Sequence, residues 1–450
     1  MAHDKVVDSV ALDTGLKLIA DAIRTKTGKS DEVYFPEDMA NEILSISGGG
    51  TIDLGITDFS YFFYKDTRLN LLGSIDMSKG TDFSYMCANC YSLKTVPILN
   101  VSSGTDFSYM FENCNSLTDI SGLDTSNGTD FSYMFRYCGS LTTIPALNTS
   151  NGTNFAQMFC ECTSLTSIPE LDTSKGTNFT TMFYYCESLT SIPELDTSSG
   201  INFSSMFDHC SALTSIPELD TGNGTNFGYM FYNCESLTSI PELDTGNGTR
   251  FCAMFSECAS LTTIPELDTS NGTIFSTMFA GCSSITTIPE LDVSKGTDFG
   301  YMFHYCSALT TVPELNTGKG TNLGHMFTGC TELKSVYKID LASCTTTTWM
   351  FEDCSALTDL YLYNICHPLV LSYSPKLTVD SLIHAFKELL PVSSSRTLTI
   401  GLTNRAKIVN LYCKITDTAD IKLPMELCES TDEGAMTLIE YAAEKNWKID

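Results

Sequence analysis

Cysteine is the side chain in this 450-residue chain whose spacing most invites a chemical interpretation. It recurs every 24 residues without an insertion or deletion, at Cys90, Cys114, Cys138, Cys162, Cys186, Cys210, Cys234, Cys258, Cys282, Cys306, Cys330 and Cys354. A column of thiols could form disulfides or bind a soft metal such as zinc. We predict a buried column of free thiols instead, because free cysteine packs as a small hydrophobic group. The chain also begins without a signal peptide that would direct it to an oxidising compartment.

Other groups of reactive side chains do not form a catalytic or metal-binding pattern. Cys87 and Cys90 form a CxxC pair, but no second pair or nearby histidine completes it, and Cys87 occupies the position of Phe111 in the next repeat. The six histidines are scattered, at His3, His209, His304, His325, His367 and His384. Glycines occur singly at the corners of the repeats and not in a phosphate-binding loop. The sequence therefore predicts a protein that is not an enzyme and needs no metal or cofactor.

Acidic residues form two further columns. These are Glu170, Glu194, Glu218, Glu242, Glu266, Glu290 and Glu314, and Asp172, Asp196, Asp220, Asp244, Asp268 and Asp292. At a separation on the order of 5 Å, neighbouring carboxylates repel by roughly 0.8 kcal/mol in water. We expect the columns either to be solvated or to bind a hard cation such as calcium. The formal net charge of −29 disfavours nucleic acid and anionic membrane surfaces, and no apolar run is long enough to span a membrane.

The elements that position these columns follow from the 24-residue period, which is typical of a solenoid. Phe131, Met134, Phe135 and Cys138 have the spacing of one face of a short helical turn. Leu141, Ile144 and Leu147, with the β-favouring threonines between them, predict one strand in each repeat. Each 24-residue repeat is therefore predicted to form a strand, a corner and a helical turn.

The boundaries of the strand and the corner are set by proline and glycine. Pro145 is expected to end the strand, because proline cannot donate to a sheet ladder. Asn127-Gly128-Thr129 and Lys175-Gly176-Thr177 predict the corners, where glycine is expected to adopt a positive φ.

The run from Asp172 to Pro193, with Asp-Thr-Ser, a Gly-Thr corner, Met-Phe, Cys, Ser-Leu-Thr and Ile-Pro, resembles the BspA-like leucine-rich repeat proteins of bacteria and their phages. The resemblance covers about residues 56–365, although that family more often has valine and methionine at the corner glycine and the following phenylalanine. It implies an α/β solenoid, a right-handed leucine-rich-repeat-like array of strand and short-helix coils.

Five segments follow along the chain. Residues 1–47 predict a helical N-terminal attachment module, 48–55 a glycine-rich linker, 56–79 a degenerate capping repeat, 80–365 twelve repeats, and 366–450 an α/β C-terminal cap. The run from Leu18 to Gly28 resembles a module of tail-associated phage proteins, while an ordinary helical cap is the alternative. In the C-terminal cap we predict helices at Val379–Leu390 and Glu433–Asn446, a strand at Thr397–Gly401, and a packed Trp447.

Candidate ligand-binding residues are those that change from one repeat to the next. The position before Met and the two positions after Met-Phe vary and are rich in tyrosine, whose ring and hydroxyl suit sugars and adaptable hydrogen bonds. The candidates are Tyr133, Arg136, Tyr137, Tyr184, Tyr185, Asp208, His209, Tyr229, Tyr232, Tyr301, His304 and Tyr305. Simple drift of exposed positions is the alternative, and the threonine rows that include Thr166 and Thr190 form a competing surface.

Three kinds of binding or structural protein remain open. The resemblance to phage modules implies a tail-tip or tail-fibre protein of the virion, bound to other tail proteins through residues 1–47 and to a host-surface glycan or protein. A BspA-like adhesin on the bacterial cell surface is the second interpretation, and a virion decoration protein without a ligand is the third.

Overall fold

A computed structural model describes residues 52–53, 55–65, 75–120, 122–415 and 425–450. The predicted N-terminal module and most of the linker lie outside these residues. The chain divides into two compact units. The first unit contains Met1–Ile201 and His209–Leu213, and the second contains Asn202–Asp208 and Thr214–Asp450. The boundaries predicted for the capping repeat, the array and the C-terminal cap stay predictions.

Each unit is a stack of coils joined by backbone hydrogen bonds between successive repeats. In the first unit the N–H of Thr153 donates to the carbonyl of Thr129 at 2.9 Å, one period earlier. Parallel bridges in that unit join Asp58, Asp82, Asp106, Asp130, Asn154 and Asn178 in turn. In the second unit they join Asn202, Asn226, Arg250, Ile274, Asp298, Asn322 and Thr346. The prediction of a repeat solenoid is confirmed, because neighbouring coils share both their backbone bonds and their interior.

The interior of each unit is built from columns of identical side chains. Phe135 and Phe159 stack in the first unit with ring centroids 5.8 Å apart, and Phe231 and Phe255 stack in the second at 5.7 Å. The methionines that precede these rings are fully buried. Burial of these columns supplies the hydrophobic free energy that holds the coils together.

The cysteine column is buried and free, as predicted, but it is more than apolar filling. The thiol of Cys162 donates to the carbonyl of Phe135 at 3.0 Å, and that of Cys258 donates to Phe231 at the same distance. Each thiol therefore links two successive coils. Burial raises the pKa of Cys258 to about 12, so this thiol stays protonated at neutral pH.

The segment predicted as a helical turn forms β-turns instead, so that prediction is wrong. In residues 131–138 the N–H of Met134 donates to the carbonyl of Phe131 at 3.3 Å, a bond between residues three apart. Tyr133 and Tyr137 have a φ of 60°, which a right-handed helix does not contain. Among the described residues, α-helix occurs only beyond residue 378.

The physical reason lies in where the backbone N–H groups donate. The N–H of Phe135 donates to Met158 in the following coil at 2.9 Å, and that of Tyr137 donates to Cys160 at 2.8 Å. A helix would use these donors within the segment. Spacings of three and four residues return to one face in both structures, so the pattern did not distinguish them.

The strand predicted in each coil is also present in only part of the array. β1 (Ile52–Asp53) pairs in parallel with β2 (Ile75–Asp76), and β3 (Thr95–Val96) pairs with β4 (Asp119–Ile120). Between β4 and β5 (Ser335–Asp340), the residues that the structure describes contain no strand. The two longest strands, β5 and β6 (Asp359–Tyr363), lie in coils without the repeated proline. Proline therefore does more than end the strand, because its missing N–H prevents a continuous ladder.

Glycine at the corner is required for a different reason from the one predicted. The φ of Gly176 is not in the left-handed region. A Cβ atom on Gly176 would lie 2.6 Å from the ring of Phe179 and 2.9 Å from the carbonyl of Thr173. The close approach of the phenylalanine column to the backbone, and not a positive φ, excludes a side chain here.

The C-terminal part of the second unit mixes helices and short strands. Its further elements are β7 (Leu369–Val370), α1 (Val379–Lys387), β8 (Arg396–Thr399), α2 (Gly401–Ile408), β9 (Tyr412–Ile415), β10 (Met425–Cys428), β11 (Met436–Thr437), α3 (Leu438–Glu444) and β12 (Trp447–Ile449). A parallel sheet has the order β12, β8, β7, and an antiparallel sheet has the order β10, β9, β11. The two predicted helices and the predicted strand are present but shorter, and α2 was not predicted.

Trp447 packs inside this region, as predicted. It is 3% exposed, and its indole N–H donates to the carbonyl of Leu390 at 2.8 Å. No helix in the described part of the chain is long and apolar enough to cross a membrane.

Candidate binding surface on the turn segments

The predicted ligand residues lie on the β-turns that run from the first phenylalanine of each coil to its cysteine, which we call the turn segments. Within them, the residue before methionine and the residue before cysteine have a positive φ in most coils, as at Gln157 (56°) and Glu161 (58°). A left-handed conformation costs a non-glycine residue roughly 1–2 kcal/mol. The coil-to-coil hydrogen bonds hold the backbone in this shape, so the variable side chains project from a rigid frame.

Four tyrosines before methionine form a ring stack in the first unit, which we call the tyrosine column. Tyr61, Tyr85, Tyr109 and Tyr133 stack in sequence, with centroids 4.6, 4.2 and 4.1 Å apart and planes within 8° of parallel. Gln157 ends the column by donating from its amide to the Tyr133 hydroxyl at 3.2 Å. Burial raises the pKa of Tyr85 to about 12 and raises that of Tyr109 as well, so these two hydroxyls are neutral at physiological pH.

Arg136 lies beside the end of the tyrosine column. Its guanidinium carbon is 5.5 Å from the ring centre of Tyr133 and 4.5 Å from that of Tyr137. It also forms an ion pair with Glu112 at 3.3 Å, while burial raises the pKa of Glu112 against the opposing effect of Arg136. The charge of Arg136 is thus shared between two rings and a carboxylate, and an anionic ligand would compete with Glu112.

A smaller aromatic cluster lies farther along the first unit. Tyr185 stacks on His209 with centroids 3.9 Å apart, and Tyr184 contacts Tyr185 at 4.6 Å. All three side chains are half-buried. Asp208 does not belong to this surface, since it is only 5% exposed. Its prediction as a surface carboxylate is therefore wrong, because its side chain lies in the interior of the second unit.

The second unit carries the most exposed members of the predicted set. Tyr229 is 44% exposed and meets the half-buried Tyr232 edge-on at 5.7 Å. Tyr301 is 40% exposed and Tyr305 is 56% exposed. His304 lies between these last two rings.

His304 belongs to a group of four rings. Its centroid is 5.1 Å from Tyr301 and 4.4 Å from Tyr305, and His325 stacks on Tyr301 at 4.5 Å. Burial, with a smaller effect of His325, lowers the pKa of His304, so it is neutral at physiological pH. Sequence reasoning did not select His325, although it stands one period after Tyr301.

The turn segments can therefore offer ring faces, hydroxyls and the neutral imidazole of His304 to a ligand. Tyrosine with short polar neighbours suits stacking on sugars and adaptable hydrogen bonding. In the described ranges, no group of three or more histidine, cysteine, aspartate or glutamate residues could share a metal ion.

The acidic columns are exposed, which agrees with the expectation that they are solvated. Asp172 accepts hydrogen bonds from the backbone N–H and the hydroxyl of Ser174, at 3.1 and 2.7 Å. These bonds lower the pKa of Asp172. This carboxylate therefore takes part in holding the corner of its coil.

The coils and their turn segments define a repeat-solenoid protein, and a family model identifies the family to which it belongs. The model of the family described as "Mycoplasma protein of unknown function, DUF285" matches residues 57–167, 105–215, 153–265 and 249–363. These overlapping matches cover well over half of the chain, and the protein belongs to that family.

Among the solved structures that match the chain are three bacterial repeat proteins. A leucine-rich cell surface protein from Faecalibacterium prausnitzii is 24% identical, with a TM-score of 0.35 over 62% of this chain and 75% of that one. A leucine-rich repeat protein from Bacteroides ovatus is 16% identical, with a TM-score of 0.31 over 71% of this chain and 82% of that one. An internalin from Listeria monocytogenes is 16% identical, with a TM-score of 0.25 over 76% and 94%. No curated protein matches the chain.

Proposed function

We propose that this chain is a non-enzymatic adhesion protein whose turn segments bind a glycan or a protein on a cell surface. The observation that carries the proposal is the aromatic surface of the turn segments. Its rings stack on one another along each unit, as Tyr109 stacks on Tyr133 and Tyr301 on His325, while the residues between them vary from coil to coil.

The bacterial cell surface is the favoured location in this proposal. The family to which the chain belongs is described from a bacterial genus. A phage tail-tip or tail-fibre protein is the alternative form, in which residues 1–47 would join other tail proteins. That form depends on residues that lie outside the described ranges, so the bacterial adhesin is the form we put to the test.

The binding test uses the full chain, labelled with a fluorophore, on intact bacterial cells, on eukaryotic cells and on an array of neutral and charged oligosaccharides. Two variants remove rings from one unit each: Tyr184→Ala with Tyr185→Ala, and Tyr301→Ala with Tyr305→Ala. We expect at least one of them to lose most of the binding, because each removes two ring faces.

The matched control replaces Thr166 and Thr190, exposed threonines of the competing surface in the first unit, by alanine. Thermal melts establish that all variants are folded. Equal binding by wild type and both ring variants would exclude the rings of residues 184–185 and 301–305 as the binding surface, and loss in the threonine variant alone would move the site to the threonine rows. No binding to any surface would favour a structural protein without a ligand.

Location is tested separately. Antibodies to the chain are applied to intact cells of the organism that encodes it and to phage particles purified from the same culture. Labelling of cells supports the bacterial adhesin, whereas labelling of particles alone would overturn it in favour of the phage tail protein.

A further inference from the structure

We propose that a cleft in the C-terminal part of the second unit binds an acidic sugar, a pyranose ring that carries a carboxylate. The cleft has a volume of about 560 Å³ and lies between the turn segment of the last coil and the sheet of β7 and β8. Small-molecule sites typically enclose roughly 300–1,000 Å³, so one or two sugar rings fit. Nothing in the turn segments of the earlier coils is required for this site.

Two exposed aromatic rings form the apolar wall of the cleft. Trp349 is 44% exposed and Tyr373 is 39% exposed. Their centroids are 6.4 Å apart, and their planes are inclined by 30°. Large aromatic side chains normally gain stability by burial, so two adjacent exposed rings indicate a surface that a ligand covers. The C–H groups on one face of a pyranose provide an apolar surface of matching size.

The backbone at Trp349 offers an unused donor. In the coils before it, the corresponding N–H groups of Tyr301 and His325 donate to the following coil, to Gly324 at 3.0 Å and to Thr348 at 2.8 Å. The N–H of Trp349 has no acceptor among the described residues, because the turn segment is not repeated after Cys354. Its φ of 57° preserves the strained turn geometry of the earlier coils. A hydroxyl or ring oxygen of a sugar could accept from this N–H.

Hydroxyl groups on the wall beside Trp349 add polar contacts. Thr346 and Thr348 lie 3.0 Å apart, oxygen to oxygen, and share a hydrogen bond. Thr348 is exposed. Vicinal hydroxyls of a sugar can both donate to and accept from such a pair.

Arg396 supplies the preference for a carboxylate. Its Nη1 lies 3.3 Å from Nδ1 of His367, and it forms no ion pair with any described acidic residue, in a chain with 54 acidic and 25 basic residues. Its Nε is buried without a hydrogen-bond partner. Burial, together with the charge of Arg396, lowers the pKa of His367, so this imidazole is neutral at physiological pH and is not a counter-ion for Arg396.

The guanidinium therefore faces the cleft without a counter-charge. Arginine binds a carboxylate through two parallel hydrogen bonds, and such charge-assisted bonds are stronger than neutral ones. An acidic sugar would fill both roles at once, with its ring on Trp349 and Tyr373 and its carboxylate on Arg396.

Tryptophan fluorescence of the full chain tests the proposal. The chain has two tryptophans, and the second, Trp447, is buried in the C-terminal fold, so a ligand in the cleft changes the emission of Trp349. The probes are methyl glucuronide, methyl glucoside as the sugar without a carboxylate, and acetate as the carboxylate without a ring. We expect saturable binding of the glucuronide that is roughly tenfold to a hundredfold tighter than that of the glucoside, as for a hydrogen bond to a charged group.

Three variants complete the experiment. Arg396→Gln is expected to bind both sugars with the weak affinity of the glucoside, and Arg396→Lys to show an intermediate preference. Trp349→Phe is expected to lose the fluorescence response while calorimetry still detects binding of the glucuronide. Thermal melts accompany each titration.

Several results would overturn the proposal. These are equal affinity for the two sugars, an equal response to acetate, an unchanged preference in folded Arg396→Gln, or no binding of any probe. None of them bears on the proposed adhesion function, which is measured with variants at Tyr184, Tyr185, Tyr301 and Tyr305. Loss of cell adhesion in those variants with intact glucuronide binding would separate the two sites.

Discussion

At the scale of single residues, some positions of the repeat accept only one kind of residue, because their neighbours lie too close for any other. Gly176 lies against the ring of Phe179, and its own N–H donates to the carbonyl of Thr173 at 2.7 Å. The thiol of Cys186 donates to the carbonyl of Phe159 at 3.1 Å. Glycine and cysteine therefore recur because ring, backbone and thiol must meet at van der Waals or hydrogen-bond distance in every coil.

Gly176→Ala tests the first of these contacts. The added methyl group would meet a ring atom at 2.6 Å and a backbone oxygen at 2.9 Å, and the backbone cannot give way without disturbing the coil. We expect a loss of about 1–3 kcal/mol in the free energy of unfolding, as for other overpacked interiors. Urea denaturation measures it.

Gly139→Ala is the matched control, since its nearest neighbour would be the hydroxyl of Thr163 at 3.6 Å. Little change is expected there, or a small gain from the less flexible unfolded chain. Equal effects of the two substitutions would show that backbone freedom, and not ring contact, accounts for the corner glycine.

At the scale of elements, the coils contain little regular secondary structure because many of their backbone N–H groups donate to the neighbouring coil. The turn segments direct alternate N–H groups to the next coil, as Phe159 donates to Met182 at 2.9 Å. The variable rings then stack at the spacing of the coils, which produces the tyrosine column. Stacked rings are worth about 0.5–1.5 kcal/mol per pair beyond the area they bury.

Tyr85 tests the contribution of the tyrosine column to stability. It stacks on Tyr61 and Tyr109, so Tyr85→Ala removes two ring pairs and is expected to cost roughly 1–3 kcal/mol at neutral pH. Tyr85→Phe retains both stacks and is the control, with a much smaller loss.

The same residue makes a pH-dependent contribution. Its pKa rises from 10.0 to about 12 in the folded chain, mainly through burial. Below pH 10 the phenol is neutral in both states, and its contribution is complete. Between pH 10 and about pH 12 the phenol loses its proton in the unfolded state but keeps it in the folded state, so the free energy of unfolding falls as the pH rises.

Denaturation at successive alkaline pH values should therefore show a shallower decline in Tyr85→Phe than in wild type. Parallel curves for the two proteins would contradict an unusual pKa at this position.

At the scale of the whole molecule, the dominant property is the net charge of −29. Much of it comes from acidic columns that recur with the coils and are exposed to solvent. Such a charge keeps a protein soluble, but its self-repulsion opposes the compact state. In this setting the proposed acidic-sugar site depends on the guanidinium of Arg396, which lines the cleft and forms no ion pair with a described acidic residue.

Salt and chelator distinguish the two expectations for the acidic columns. Added sodium chloride should raise the melting temperature from its value at low ionic strength, because at about 0.15 M charges are screened beyond roughly 8 Å. A chelator of divalent cations should leave the melting temperature unchanged if the columns are only solvated. A clear fall with chelator, reversed by calcium, would instead establish a calcium site.

The sequence alone determined the solenoid, its free thiol column, the alignment of its acidic columns and the packing of Trp447. The first three follow from residue type at a strict period, because identical repeats can bury their apolar side chains only against one another. The period also aligned the variable positions, and therefore indicated the aromatic surface of the turn segments.

Only the tertiary structure decided which acceptors the backbone N–H groups use and which residues distant in the sequence come into contact. Turns and helices share the spacing of Phe131, Met134 and Phe135, and the choice between them depends on donors used by the neighbouring coil. The cleft joins Trp349, in the last coil, to Arg396, in β8, which lies 47 positions later in the chain (396 − 349). No local pattern contains that pairing, because it arises where the last coil meets the sheet beyond it.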